Sequence, residues 1–386
     1  MSPPIAILGA GPSGLALARL LQVAKIPFVV FERDASRASA AAGGSGPLDI
    51  HADSGQIALR EAGLIEQFRK FARTDASNTI ADQYGKIHLH MGGDGEETDR
   101  PEIDRRDLQR ILLDSIAEDR VHWDCKVERV QKEEDGTMSV HFANGKTQGG
   151  LQLVVAADGA WSKARSLITP AKPEYSGIHY LTTSLSNENP YHHVAKGLAG
   201  NGNYMAFGNK KMFITMRMGD GSYFVGVGLH LPQNWSSERS DLMENPSALR
   251  DWLLSEPFSD WSSTQKDIIR HTEGNFRPWP LYALPTEELE SKWQSVPGLT
   301  LLGDAAHLTV PFEGEGVNIA LTDSLTLSKL IVEHGLENLN EAVEQYEAVM
   351  LPRGIDLIKR SQAQGKFLFA EDSPKSMLRQ WGLPVE

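Results

Sequence analysis

The sequence predicts an α/β protein: a discontinuous dinucleotide-binding domain of β-α-β character, an antiparallel sheet inserted into it, and a long C-terminal helix. Three observations predict it. A glycine-rich turn in "AILGAGPSGLALARLL" (6–21) stands between an apolar run and a helical pattern. From about 175 to 235 the texture changes to aromatic-rich alternation, as in "KMFITMRMGDGSYFVGVGLHL". The buried-strand style then returns in "GLTLLGDAAH" (298–307) and is followed by helical patterns. The expected boundaries are 1–174 with 275–352 for the nucleotide domain, 175–274 for the sheet domain, and 353–386 for a bracing helix and a possible lid, "MLRQWGL".

The elements follow in order. Apolar residues at 4–8, a helix from about Ser13 to Val23 and the run "FVVFE" at 28–32 outline a β-α-β unit. Gly9, Gly11 and Gly14 form G-x-G-x-x-G at its turn. Gly9 permits the tight turn, Gly11 lets a pyrophosphate approach the backbone, and Gly14 lets helix and strand pack closely. With Ser13 they place the positive end of a helix against a dianion. Glu32, ending the second strand, can accept from both hydroxyls of an adenosine ribose, which favours NAD or FAD over NADP at this turn. "ASRASAAAGGSGP" (35–47) reads as a loop able to fold over a ligand. "GQIALREAGL" and "DLQRILLDSIAED" read as helices. Residues 121–156 read as short strands with "EDG" and "ANG" turns, closing in "LQLVVAADG". After the sheet domain come helical patterns at roughly 314–334, 338–349 and 353–370.

Composition bounds the partners. The chain has 386 residues, 40% hydrophobic and 23% charged, with a net charge of -13. That balance argues against a basic nucleic-acid footprint and favours a small-molecule partner. Cys125 is the only cysteine, so no internal disulfide can form. With no H-E-x-x-H or clustered ligands around His307, no metal site is expected. No signal-peptide pattern and no run of about 18 apolar residues is present, so a soluble, cytoplasmic monomer is expected.

Two later motifs choose the cofactor. "DGAWSKAR" carries Asp158, Gly159, Ser162 and Arg165 as D-G-x-x-S-x-x-R, and "LLGDAAHLTVPFEGEGVN" carries Gly303, Asp304, Ala305, Ala306, His307 and Pro311 as G-D-A-x-H-x-x-x-P. With the first turn, they resemble the single-component FAD-dependent aromatic hydroxylases, the group A flavoprotein monooxygenases of para-hydroxybenzoate hydroxylase-like fold. Within that group "GPLDIHADSGQIALREAGLI" and "PEIDRRDLQRILLDSI" are most similar to the tetracycline-inactivating monooxygenases.

The resemblance implies FAD as cofactor, NADPH or NADH as transient electron donor and O2 as co-substrate. It implies that a flavin C4a-hydroperoxide, and no side chain, delivers oxygen to an aromatic or polycyclic molecule, by hydroxylation ahead of epoxidation or Bayer-Villiger insertion. Asp304 would accept from the ribityl hydroxyls. The amides of Gly314, Gly316, Val317 and Asn318, at a helix start, would stabilise negative charge on the flavin N1/C2=O edge. Asp158 would serve both FAD and the nicotinamide cofactor, Arg105 would reach FAD, and Asp49 would lie beside the isoalloxazine. The arginine that relatives place before the loop glycines for NADPH is not evident, and Arg33 and Arg37 are the substitutes. Substrate would rest between the flavin and the sheet, with Tyr204, Phe207, Met216, Phe224 and His230 as lining candidates and Phe312 near the ring. Glu313 and Glu315 replace the alanine and glutamine of the tetracycline enzymes; they either add negative charge near the flavin or, in the preferred reading, one or both face water. Tyr204 falls where those enzymes carry an arginine, so a polycyclic or phenolic secondary metabolite is expected ahead of tetracycline-like compounds. The competing readings are an NAD-linked dehydrogenase, which leaves the motifs at 158 and 303 without a purpose, a flavin halogenase, which lacks its W-x-W-x-I-P signature, and a non-catalytic FAD carrier.

Overall fold

The structure, a computed structural model, describes residues 4–41, 46–93, 95 and 97–384. A five-stranded parallel sheet forms the base, in the order Leu299–Leu301, Leu153–Ala156, Ile5–Leu8, Phe28–Phe31, Val121–His122. Four of these strands, IAIL, FVVF, LVVA and LTL, are buried at every position. Such continuous apolar runs are what a parallel sheet covered on both faces requires. The helices Pro12–Val23 and Gly316–His334 pack on each other and supply much of the cover. The "EDG" and "ANG" turns join Val127–Lys132, Met138–Phe142 and Thr147–Leu151 into a separate antiparallel sheet.

The larger sheet has seven strands, in the order Glu273–Ala283, Glu174–Leu185, Tyr223–His230, Lys211–Arg217, Asn203–Gly208, Asn78–Asp82, Ile87–Met91. It is antiparallel except where Asn203–Gly208 runs parallel to Asn78–Asp82. The two strands at 78–91 precede the aromatic-rich stretch in the chain; Asn78–Asp82, with only Ile80 and Ala81 apolar, gives little strand signal, while Ile87–Met91 alternates. Alternation sorts the side chains into two cores. The outer face, with Tyr204, Phe213 and Val225, lies under helices that include Pro246–Ser255 and Ser263–His271. The inner face, with Phe207, Met212 and Ile214, meets Leu368, Phe369, Met377 and Leu378 of the C-terminal region.

That region departs from expectation at Pro352. The helix runs unbroken from Leu339 to Leu368 with Pro352 inside it. A proline interrupts one backbone hydrogen bond at a cost of about 3 kcal/mol. Here Val343, Tyr346, Met350, Leu357 and Ile358, all buried on either side of it, hold the helix together. Within the loop expected at 35–47, Arg37–Ala41 forms a short helix, and 42–45 lie outside the described residues.

Candidate active site

The first turn is shaped by what a side chain would strike. Gly9 has φ +107°, and a Cβ there would sit 2.4 Å from the Ala157 carbonyl oxygen. A Cβ on Gly14 would sit 2.2 Å from the Gly9 carbonyl oxygen. Gly11 faces open space, with nothing within 4 Å of its Cβ position. Pro12 occupies the first turn of the helix, where its missing N–H costs nothing. The amides of Gly11, Ser13 and Gly14 have no acceptor among the described residues. Unclaimed donors at an open helix N-terminus fit a pyrophosphate.

Glu32 is buried. Its Oε2 accepts the Ala10 amide at 2.5 Å and its Oε1 the Asp34 amide at 3.0 Å. Those bonds fix the carboxylate while leaving lone pairs for a ribose. Arg33 is exposed and makes no side-chain hydrogen bond or ion pair among the described residues. Arg37 pairs with Asp114 at the surface, which ties its charge to the protein.

The three motifs meet. Gly303, at φ +59°, brings its Cβ position to 3.1 Å from the Ser13 hydroxyl, so the first and third motifs touch. Arg165 joins the second to the third: its Nε donates to the Ala305 carbonyl at 2.8 Å and its Nη2 to the Asp304 carbonyl at 3.0 Å. Burial lowers its pKa to about 10, against the pull of Asp158 and Asp304. Asp158 accepts the Lys163 amide on Oδ2 at 3.0 Å, while its buried Oδ1 has no partner. Burial raises the Asp158 pKa; the Ser162 hydroxyl lies near enough to oppose that shift without completing a hydrogen bond. An orphaned carboxylate oxygen between the first and third motifs is a place for a ligand donor. Asp304 is exposed and forms the first residue of the short helix Asp304–His307. Arg105 lines a cavity with Gly46, Thr182 and Phe224. Solvent reaches it, but protein crowds it, and that desolvation lowers its pKa against the field of Asp304.

Asn318 closes the site. Its buried amide donates to the Asp49 carbonyl and accepts from the His51 amide, each at 2.9 Å. The His51 ring bonds the Asp49 carboxylate at 2.9 Å. Gly314 lies with its Cβ position 3.5 Å from that carboxylate. The amides of Gly316, Val317 and Asn318 have no acceptor among the described residues, and no side chain caps their helix. Pro311 is exposed on the segment leading into it.

The substrate candidates divide. Phe207, Met216, Phe224 and Phe312 belong to the inner face; Phe312 packs on Phe369 with centroids 5.6 Å apart, and Phe224 adjoins Gly46. Phe207 is fully buried beneath the C-terminal region, so it is a core residue behind the wall. His230 sits at the rim, edge-on to Phe369 at 5.5 Å, and burial lowers its pKa. Tyr204 must be corrected. It points to the outer face, where its hydroxyl accepts from Gln265 at 3.0 Å. In a strand Tyr204 and Phe207 occupy opposite faces, so one pocket cannot hold both. A cavity of about 380 Å³ opens beside Arg105, Gly46 and Phe224.

His307 is engaged elsewhere. It bonds Asp323 at 2.5 Å, and Asp323 also accepts from Arg353 at 2.6 Å, a buried network under the site. Among the described residues no cluster of His, Cys, Asp and Glu could hold a metal. Sequence reasoning missed His51, Phe369 and Arg360. Arg360 pairs with Glu313 and Glu315, and helical spacing across two distant segments gave no signal of that contact.

The sequence matches the FAD binding domain family over residues 3–361. The chain belongs to that family. It is similar to monooxygenase penA of Penicillium thymicola, at 31% identity over 409 residues, covering 92% of this chain and 93% of that protein. Klebsiella pneumoniae HpxO, solved with FAD and uric acid, shares the fold with a TM-score of 0.79 at 20% identity, covering 98% of this chain and 91% of that one. The tetracycline destructase Tet(51) shares it with a TM-score of 0.70 at 19% identity, covering 98% and 95%. No described helix is long and apolar enough to cross a membrane.

Proposed function

We propose that this member of the FAD binding domain family is an FAD-dependent, NAD(P)H-consuming monooxygenase that hydroxylates an aromatic or polycyclic small molecule, a phenolic secondary metabolite in preference to tetracycline. What supports it is the set of unclaimed donors at Gly11, Ser13, Gly14, Gly316, Val317 and Asn318 and the orphaned Asp158 carboxylate oxygen, on segments that touch at Ser13 and Gly303. FAD supplies the electron-transfer and oxygen chemistry when bound.

The protein's part is to bind, orient and exclude water. Gly11, Ser13 and Gly14 would hold the pyrophosphate, Glu32 the adenosine ribose, and Asp158, Arg105 and Asp304 the middle of the cofactor. The free amides of Gly316, Val317 and Asn318, at the positive end of a 19-residue helix, would favour negative charge at the ring edge. Asn318 keeps Asp49 and the loop behind it in place. Phe224, Met216 and Phe312 offer an apolar wall on which a flat substrate is desolvated, with His230 at its rim.

The test is a visible spectrum of the purified protein followed by turnover. Bound oxidised flavin, substrate-stimulated NAD(P)H oxidation and a product heavier by one oxygen atom from labelled O2 are expected. A protein that neither carries nor takes up flavin would refute the assignment, and a product with a ring-inserted or epoxide oxygen would refute hydroxylation.

A further inference from the structure

The segment 310–316 carries both Phe312, assigned above to the substrate wall, and the start of a helix whose first amides are free. Three residues of the Leu339–Leu368 helix hold it. Gly365 receives the Phe312 ring, which lies 2.7 Å from where a Cβ would be. The Ser361 hydroxyl donates to the Val310 carbonyl. Arg360 does most: its Nη1 donates to Glu313 at 2.8 Å and to Glu315 at 3.2 Å, its Nη2 to Glu315 at 2.7 Å, and its Nε to Asp356 at 2.8 Å. One guanidinium therefore spans three carboxylates, using the fork geometry that a lysine lacks.

Glu315 is the residue immediately before the helix Gly316–His334, yet its side chain makes no capping bond. A carboxylate there is drawn electrostatically toward the amides of its own first turn. Arg360 takes both Glu315 oxygens instead, and the amides of Gly316, Val317 and Asn318 stay free.

We infer that Arg360 is a positioning residue for the flavin reaction: it holds Glu313 and Glu315 away from the cofactor-facing helix start and fixes Phe312 against the C-terminal helix. The inference rests on the functional reading above. The cation and its partners reinforce each other, and the Glu315 hydrogen bonds, ahead of the opposing burial, raise the Arg360 pKa further. Loss of the guanidinium leaves two carboxylates beside the ring-edge amides, where one can cap the helix itself. Negative charge there disfavours the reduced, anionic ring.

The experiment measures the flavin midpoint potential, substrate KM and kcat in wild type, Arg360→Gln, Arg360→Lys and the triple variant Arg360→Gln/Glu313→Gln/Glu315→Gln. In Arg360→Gln the preference for reduced over oxidised cofactor should fall about tenfold, which for a two-electron couple reads as about 30 mV more negative. Substrate KM should rise about tenfold, because the segment that carries Phe312 loses its tether at Glu313 and Glu315. The triple variant should recover the potential, the carboxylates being neutral, but keep the raised KM. Arg360→Lys keeps the charge and loses the fork, so it should show the KM effect with a smaller potential shift; it also serves if Arg360→Gln does not fold. Flavin-loaded variants with the wild-type potential and KM, differing only in melting temperature, would overturn the clamp and leave the functional reading standing. Wild-type protein without flavin would overturn both.

Discussion

At the candidate cofactor cradle, Gly11 and Gly14 present backbone amides and no side chains, whereas on the inner face of the seven-stranded sheet Met216 and Phe224 present side chains from strands paired on both edges. The first surface depends on where the chain can go. The second depends on which of two faces each residue meets. The glycine turn tolerates almost no change at Gly9 and Gly14, where the obstacle is backbone, while Gly11 faces open space. A side-chain wall can be rebuilt one residue at a time without disturbing the ladder beneath it, which is how one scaffold accommodates many substrates.

The sharpest way to break the contrast is Gly14→Val. Its Cβ would overlap the Gly9 carbonyl, so the strand–helix packing must open at a cost of about 3 kcal/mol. The expected result is protein without flavin, read from the visible spectrum; normal flavin content would show that the turn can relax.

Next comes the buried network under the cradle. Asp323→Asn leaves Arg353 and His307 short of a counter-charge and should cost about 3–5 kcal/mol in denaturant unfolding. Burial depresses the His307 pKa, but Asp323 outweighs it and the native value is raised above 6.5. A raised native pKa contributes stability that is complete below the unfolded value and lost as pH rises through the folded one. The gap between wild type and Asp323→Asn should therefore be widest below about 6.5 and narrow on the alkaline side. A gap that widens with pH would contradict this account.

The smallest effects separate the two faces of the sheet. Phe224→Ala on the inner face should raise substrate KM by roughly tenfold with flavin content unchanged, the loss of one apolar contact being about 1–3 kcal/mol. Tyr204→Phe on the outer face should lose the Gln265 bond, about 1 kcal/mol of stability, and leave KM alone. Steady-state kinetics and thermal melts on the pair decide it; a KM change in Tyr204→Phe alone would reverse the assignment of faces.

Legibility follows the same division. The first turn could be read because backbone leaves no room for a side chain at Gly9 and Gly14. The face of Tyr204 could not be read, because alternation says which residues share a side but not which side meets the cofactor. Asn78–Asp82 carries too few apolar residues to announce itself as a strand, and its place beside Asn203–Gly208 is fixed by tertiary pairing. The Pro352 break was overruled by burial on both sides of it. Arg360 was silent because the partners of an ion pair on two separate segments leave no periodic trace.

Asn318 bonds the backbone at Asp49 and His51, partners 269 and 267 positions earlier in the chain. Translation is vectorial, so a nascent polypeptide that has already emerged through its glycine turn still lacks the residue that secures the opposite end of the pocket. The segment 49–51 is therefore fastened by a residue made long after it.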